Sequence, residues 1–189
     1  LMTIEFSAES TTDDVLRNVD LSGKRVLITG ISAGLGVETA RAIAVRGAKV
    51  VGTARDLAKA GKALKAYKAL AIDVLYCNLA SLASVRACAY TLITRGDRFD
   101  VVVANAGVMN CSFSHTEDGF EMQFGTNHLG HFVLVNRIAP LIAEGGRVVV
   151  LSSSAHRASD VNLDDPGFRQ TPYDPFSAYG RSKTANVLF

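Results

Sequence analysis

Five short apolar runs recur along the chain: KRVLITG (24–30), AKVVGTAR (48–55), ALAIDVLY (69–76), FDVVVANAG (99–107) and GRVVVLSSS (146–154). All but the weaker ALAIDVLY are dense in Val or Ile without strict alternation, as expected of strands buried on both faces. Between them lie stretches of helical spacing. GLGVETARAIAVRG (34–47) repeats apolar residues at Val37, Ala40, Ile43 and Ala44 and stops on glycine. A second helix, rich in Ala and Lys, is predicted over Leu57–Tyr67. A third follows Ser81 as N-cap, with its stripe at Leu82, Val85, Ala89 and Leu92. The fourth is long, from about Asp118 to Ala143. Five strands alternating with four helices predict an α/β fold, a doubly wound parallel sheet covered on both faces.

Residues 1–22 read as a polar arm with one short helix around Asp13–Asn18, and residues 23–189 as a single domain. Arg157–Pro175, with its Asp-Asp-Pro-Gly sequence, reads as a loop. A net charge of +2 gives no argument for nucleic acid or an anionic membrane surface. No apolar run reaches the roughly 18–20 residues that span a bilayer. Cys77, Cys88 and Cys111 are odd in number and widely spaced, which suits reduced thiols in a cytoplasmic protein. His128 and His131 can share a helix face, but no carboxylate or thiol cluster accompanies them, so no metal site is expected.

The first strand meets the first helix through TGISAGLG (29–36). Gly30 permits a tight turn, Gly34 lets the backbone approach a pyrophosphate, and Gly36 lets helix and strand pack closely. Glycines cluster in any turn, and a purely structural turn is the plainer alternative; the placement between strand and amphipathic helix favours the dinucleotide reading. The second strand ends at Arg55, where an adenosine ribose would lie. A guanidinium fork there suits a 2′-phosphate and hence NADP(H), with NAD(H) as the other cofactor, whereas a solvated surface arginine is the alternative. Asp56 is better placed to cap the next helix.

In SAYGRSK (177–183), Tyr179 and Lys183 stand four apart, on one face if helical. Such a pair arises readily by chance. A phenol has a reference pKa near 10, so it serves as a base at neutral pH only beside cations; a drop of about three units needs roughly 4 kcal/mol. Ser152, Ser153 and Ser154 follow the fifth strand, at the edge where doubly wound folds bind ligands. Their hydroxyls could position a substrate carbonyl, or could simply begin a polar loop. No Gly-x-Ser-x-Gly elbow surrounds them.

These residues together resemble the short-chain dehydrogenases/reductases. TGISAGLG, ANAGV (104–108), NHLGHF (127–132), VVVLSSSA (148–155) and YGRSK (179–183) occur in family order, over the chain from about Leu21 to Phe189. DGFEMQFGTNHLGHFVL and SKTANVLF look most like the retinol dehydrogenase and WW-domain oxidoreductase branch. The resemblance implies a Rossmann-type dinucleotide site. Tyr179 would be general acid/base, with Lys183 favouring its phenolate and holding the nicotinamide ribose. Ser153 would position the substrate oxygen, and Asn127 would hold a proton-relay water. Thr29, Gly30, Ser32, Gly34, Leu35 and Gly36 would form the phosphate turn; Asn105, Ala106 and Gly107 would line the cofactor. Asn78-Leu79 stands where relatives carry Asp-Leu against adenine. Ile31 and Ser32 stand where NADP-preferring relatives often place a basic residue, so Arg55 carries that preference. The implied partners are an alcohol or carbonyl substrate, of apolar character, and further copies in a homo-dimer or homo-tetramer. A catalytically silent nucleotide-binding sensor or interaction protein of the same fold is the rival expectation. The family pattern continues past this helix with a sixth strand, a substrate-covering segment and a seventh strand.

Overall fold

The computed structural model describes residues 6–189; the first five residues of the predicted arm lie outside the described residues. The arm's short helix, α1 (Thr12–Val15), is capped by Thr11, whose hydroxyl accepts from the Asp14 N–H. Two residues of the next helix tie it down: Arg41 pairs with Asp13, and Glu38 accepts from the Thr12 hydroxyl.

Strands β1 (Arg25–Thr29), β2 (Lys49–Ala54), β3 (Ile72–Tyr76), β4 (Phe99–Ala104) and β5 (Ile142–Val150) form one sheet in the order β3-β2-β1-β4-β5. Every neighbouring pair is parallel. Successive strand side chains point to opposite faces, and β1 shows the consequence. Val26 and Ile28 join one core with Ala40 and Ala44 of α2 (Gly34–Val45) and Leu64 at the end of α3 (Leu57–Ala63). Leu27, between them, joins the other core with Val85, Ala89 and Leu92 of α4 (Leu82–Arg95). Leu134, Val135 and Ile138 complete that second core. Each large apolar side chain fully buried in this way contributes about 1.5–3 kcal/mol.

The long predicted helix differs at both ends. It runs as α5 (Met122–Phe124), one π-type turn over Gly125–Leu129, α6 (Gly130–Ile138) and a 3-10 turn over Ala139–Leu141. It starts at Met122 rather than Asp118 because Glu121 caps it, taking the N–H groups of Gln123 and Phe124, while Glu121 also bridges His115. It ends at Leu141 because Ile142 pairs with Phe99; the chain then steps aside and rejoins the ladder at Arg147. The fifth strand therefore spans 142–150 instead of 146–154. The last helix, α7 (Pro175–Leu188), follows the predicted loop, with Asp174 as N-cap and Pro175 in its first turn.

Candidate active site

At the carboxyl end of β1 the chain turns sharply. Gly30 has φ +78°, and a Cβ there would lie 2.8 Å from the Ala106 Cα. A Cβ on Gly36 would lie 2.1 Å from the Gly30 carbonyl oxygen, so only glycine lets α2 sit against the turn. Ala33, the N-cap of α2, offers no side-chain bond to the helix's first N–H groups. Those donors, with the positive end of the helix dipole, suit an anion.

The end of β4 is pinned to the same turn. Thr29 Oγ1 accepts from the N–H groups of Asn105 and Ala106, both at 3.0 Å, and Asn105 Nδ2 donates to the Thr29 carbonyl at 2.8 Å. At the end of β2, Asp56 caps α3 through the Lys59 N–H, and Arg55 faces the opening. Asn78 shares its amide between the Ala80 N–H and the Glu117 carboxylate.

On α7, Lys183 is 4% exposed and its Nζ donates to the Leu151 carbonyl at 2.9 Å. Burial holds its pKa below the usual lysine value. The same Nζ lies 5.5 Å from the centroid of the Tyr179 ring. Asn127, in the π-type turn, is fully buried. Its Oδ1 accepts from the Val108 N–H, and its Nδ2 donates to the Val108 carbonyl and the Ser182 hydroxyl. Single π-type turns recur at functional sites.

One cavity of about 440 Å³ joins these parts. Its wall includes Gly30, Ser32, Leu35, Gly36, Arg55, Asn78, Leu79, Asn105, Ala106, Gly107, Tyr179 and Lys183. Four predicted residues stand off that wall. Thr29 lies beneath it as the shared acceptor just described. Gly34 is in the first turn of α2, with open space around its Cα. Asn127 is behind Gly107, whose added Cβ would approach its Oδ1 to 3.2 Å. Ser153 turns its hydroxyl to the Ala155 N–H at 3.3 Å, and Ser152 lines the cavity in its place, donating to the Lys183 carbonyl at 2.7 Å.

Cys77, Val108, Met109, Thr126 and Leu151, which are not among the residues expected from the sequence, also line the cavity. Ser182 and Asn186 are likewise unexpected members of the site. Asn186 donates to the carbonyls of Asn127 and Leu151. Ser182 and Asn186 are four apart in SKTAN, a helical spacing that would have put both on one face. Among the described residues no cluster of three or more His, Cys, Asp or Glu could hold a metal ion, and no helix is long and apolar enough to cross a membrane.

The short chain dehydrogenase family model matches residues 24–163. Human retinol dehydrogenase 13 is 39% identical over 175 residues, covering 89% of this chain and 53% of that protein. The chain thus spans little more than half the length of the curated relatives it matches. The crystal structure of an uncharacterised protein from Mycobacterium paratuberculosis superposes with a TM-score of 0.83 at 41% identity, covering 89% of this chain and 60% of that one. An active-site complex of Pseudomonas aeruginosa RhlG with NADP superposes at 0.67 with 26% identity, covering 88% and 64%. The chain belongs to the short-chain dehydrogenase/reductase family and lies in its retinol dehydrogenase-like branch.

Proposed function

We propose that residues 23–189 act as the dinucleotide-binding and catalytic domain of an NADP(H)-preferring oxidoreductase, with residues 1–22 as a polar N-terminal arm. Its substrate is an apolar alcohol or carbonyl compound. The observation that carries this reading is the cavity running from the uncapped N-terminus of α2 to the Tyr179–Lys183 pair. Its residues fit a dinucleotide. The α2 N–H groups and Gly36 receive the pyrophosphate, Arg55 the 2′-phosphate, Asn78 and Leu79 the adenine. Asn105, Ala106 and Gly107 lie along the remainder toward Lys183.

A nicotinamide cofactor bound there supplies hydride in the reductive direction and accepts it in the oxidative one. Tyr179 gives its phenolic proton to the substrate oxygen on reduction and takes one back on oxidation. The Lys183 ammonium, beside that ring, stabilises the negative charge left behind. Fixed by the Leu151 carbonyl, it needs no reorganisation to do so. Ser153 positions the substrate oxygen once its weak 3.3 Å bond to Ala155 is released. Asn127, held from both sides by Val108, fixes the loop after β4 against α7 and holds the relay water. The name retinol dehydrogenase on the relatives and the apolar Met109 and Val108 in the wall support an apolar substrate. NADP in the RhlG complex supports the cofactor reading.

Three free thiols support a reducing, cytoplasmic setting. A row of partly exposed aromatics on α5–α7, Phe124, His128, Phe132 and Phe189, supports a homo-dimer or homo-tetramer. The test is a spectrophotometric assay of NADPH consumption with a panel of apolar aldehydes. Consumption is the expected result. Tight NADPH binding with no consumption across the panel would favour a nucleotide-binding sensor instead.

A further inference from the structure

His131, on α6, has no solvent exposure, and the proposed chemistry gives it no task. Both of its ring nitrogens are nonetheless engaged. Nδ1 lies 2.8 Å from the carbonyl oxygen of Asn127, and Nε2 lies 2.8 Å from Thr29 Oγ1. A carbonyl oxygen can only accept, so the Nδ1 position carries hydrogen. Thr29 settles the other nitrogen independently. Its oxygen already accepts from the N–H groups of Asn105 and Ala106, which occupies both lone pairs. Its own hydroxyl hydrogen is therefore left to donate to Nε2, which must be bare. The two ends of the ring agree on one state: neutral, with hydrogen on Nδ1.

The surroundings oppose any second proton. Burial pushes the ring's pKa down to about 4, and Lys183 of α7 and His128 of the preceding turn add to the effect, against the Asn127 bond. A hydrogen on Nε2 would also meet an oxygen with no lone pair left and leave the Thr29 hydroxyl hydrogen without an acceptor.

We propose that His131 is a positioning residue locked as the neutral Nδ1–H tautomer. It holds the Thr29 hydroxyl in the orientation that accepts both backbone N–H groups of the Asn105–Ala106 turn, and it holds the Asn127 carbonyl at its other end. The β1 turn, the β4 turn and the π-type turn thereby become one hydrogen-bonded unit beneath the cavity. The ring moves no proton; its value lies in having only one arrangement. The inference rests on the oxidoreductase reading only in taking NADPH as the ligand.

The test is multiple-bond proton–nitrogen NMR on the nitrogen-15-labelled full chain. The expected result is a bare Nε2 and a protonated Nδ1 for His131, unchanged from neutral pH down to about pH 5. Hydrogen on Nε2, or titration close to the ordinary histidine value of about 6.5, overturns the proposal. A His131→Phe variant supplies the second readout. Its Thr29 hydroxyl has no acceptor, so the amide signals of Asn105 and Ala106 shift and the Kd for NADPH rises about tenfold. Unmoved amide signals with wild-type NADPH affinity overturn the proposal. Should that variant not fold, the wild-type tautomer still decides. Because the NMR measurement needs neither cofactor nor turnover, its failure is distinguishable from failure of the oxidoreductase reading.

Discussion

Arg55 and Asp56 are neighbours at the end of β2, and each meets a different partner. Asp56 accepts from the Lys59 N–H at 2.8 Å and caps α3, so its carboxylate is engaged there while Arg55 lines the cavity. A guanidinium fork reads a phosphate by two parallel, charge-assisted bonds and gains much less from a neutral ribose hydroxyl. Arg55→Ala is therefore expected to raise the Kd for NADPH by about 10–100-fold and leave NADH close to wild type. Calorimetric titration of both cofactors checks this; equal losses would mean that Arg55 does not read the 2′-phosphate. The place of Arg55 on the cavity wall was legible because it depends only on which strand end the residue occupies. Ser153 was less so. Three consecutive serines alternate direction after β5, and which hydroxyl faces the cavity depends on the 3-10 turn that follows, where Ser153 caps and Ser152 faces inward.

At the scale of elements, α2 and α7 bring the chemistry to the sheet. The contact between α2 and the β1 turn is closed by Gly36, and the clashing group is backbone rather than a side chain that could move aside. Gly36→Ala is expected to lose about 3 kcal/mol of stability and its NADPH binding, as read by urea unfolding and titration. α7 depends on its N-cap: Asp174 takes the Ser177 N–H at 2.7 Å. Asp174→Ala should cost about 1 kcal/mol and lower Tm by about 3 °C, since the Ser177 N–H in the first turn loses its acceptor. An unchanged Tm would show that packing alone fixes this helix. The apolar strands were legible because their Val and Ile content has no helical alternative at that length. The start of β5 was not. Ile142, Ala143 and Glu144 carry no strand signal of their own, and Ile142 is strand only because Phe99 is there to pair with it. The π-type turn is invisible in the same way, since its residues have ordinary helical spacing and its geometry comes from packing against α7.

For the whole molecule, the order β3-β2-β1-β4-β5 places the connection reversal between β1 and β4, and the cavity opens at that switch point. The alternation of strands and helices made this topology legible, whereas the hydrogen-bonded layer beneath it, Thr29–His131–Asn127, joins residues about a hundred positions apart and has no local signature. That layer has a consequence for the whole fold. His131, buried, has its pKa lowered to about 4, and burial lowers that of His128 as well. The unfolded chain then binds more protons between about pH 4 and 6.5, so stability rises with pH through that window and is lost on acidification. Between about pH 7 and pH 5, His131 alone should remove about 2 kcal/mol, visible as a lower urea midpoint. A flat profile would mean that the folded ring titrates close to the ordinary histidine value of about 6.5. The central claim, that the cavity carries out proton-coupled hydride transfer with Tyr179 as acid and base, is tested most directly by turnover of Tyr179→Phe at saturating NADPH. Removing one hydroxyl should leave the cofactor's Kd near wild type and cut turnover with an apolar aldehyde by about 10²–10⁴-fold. Wild-type turnover in that variant would contradict the assignment.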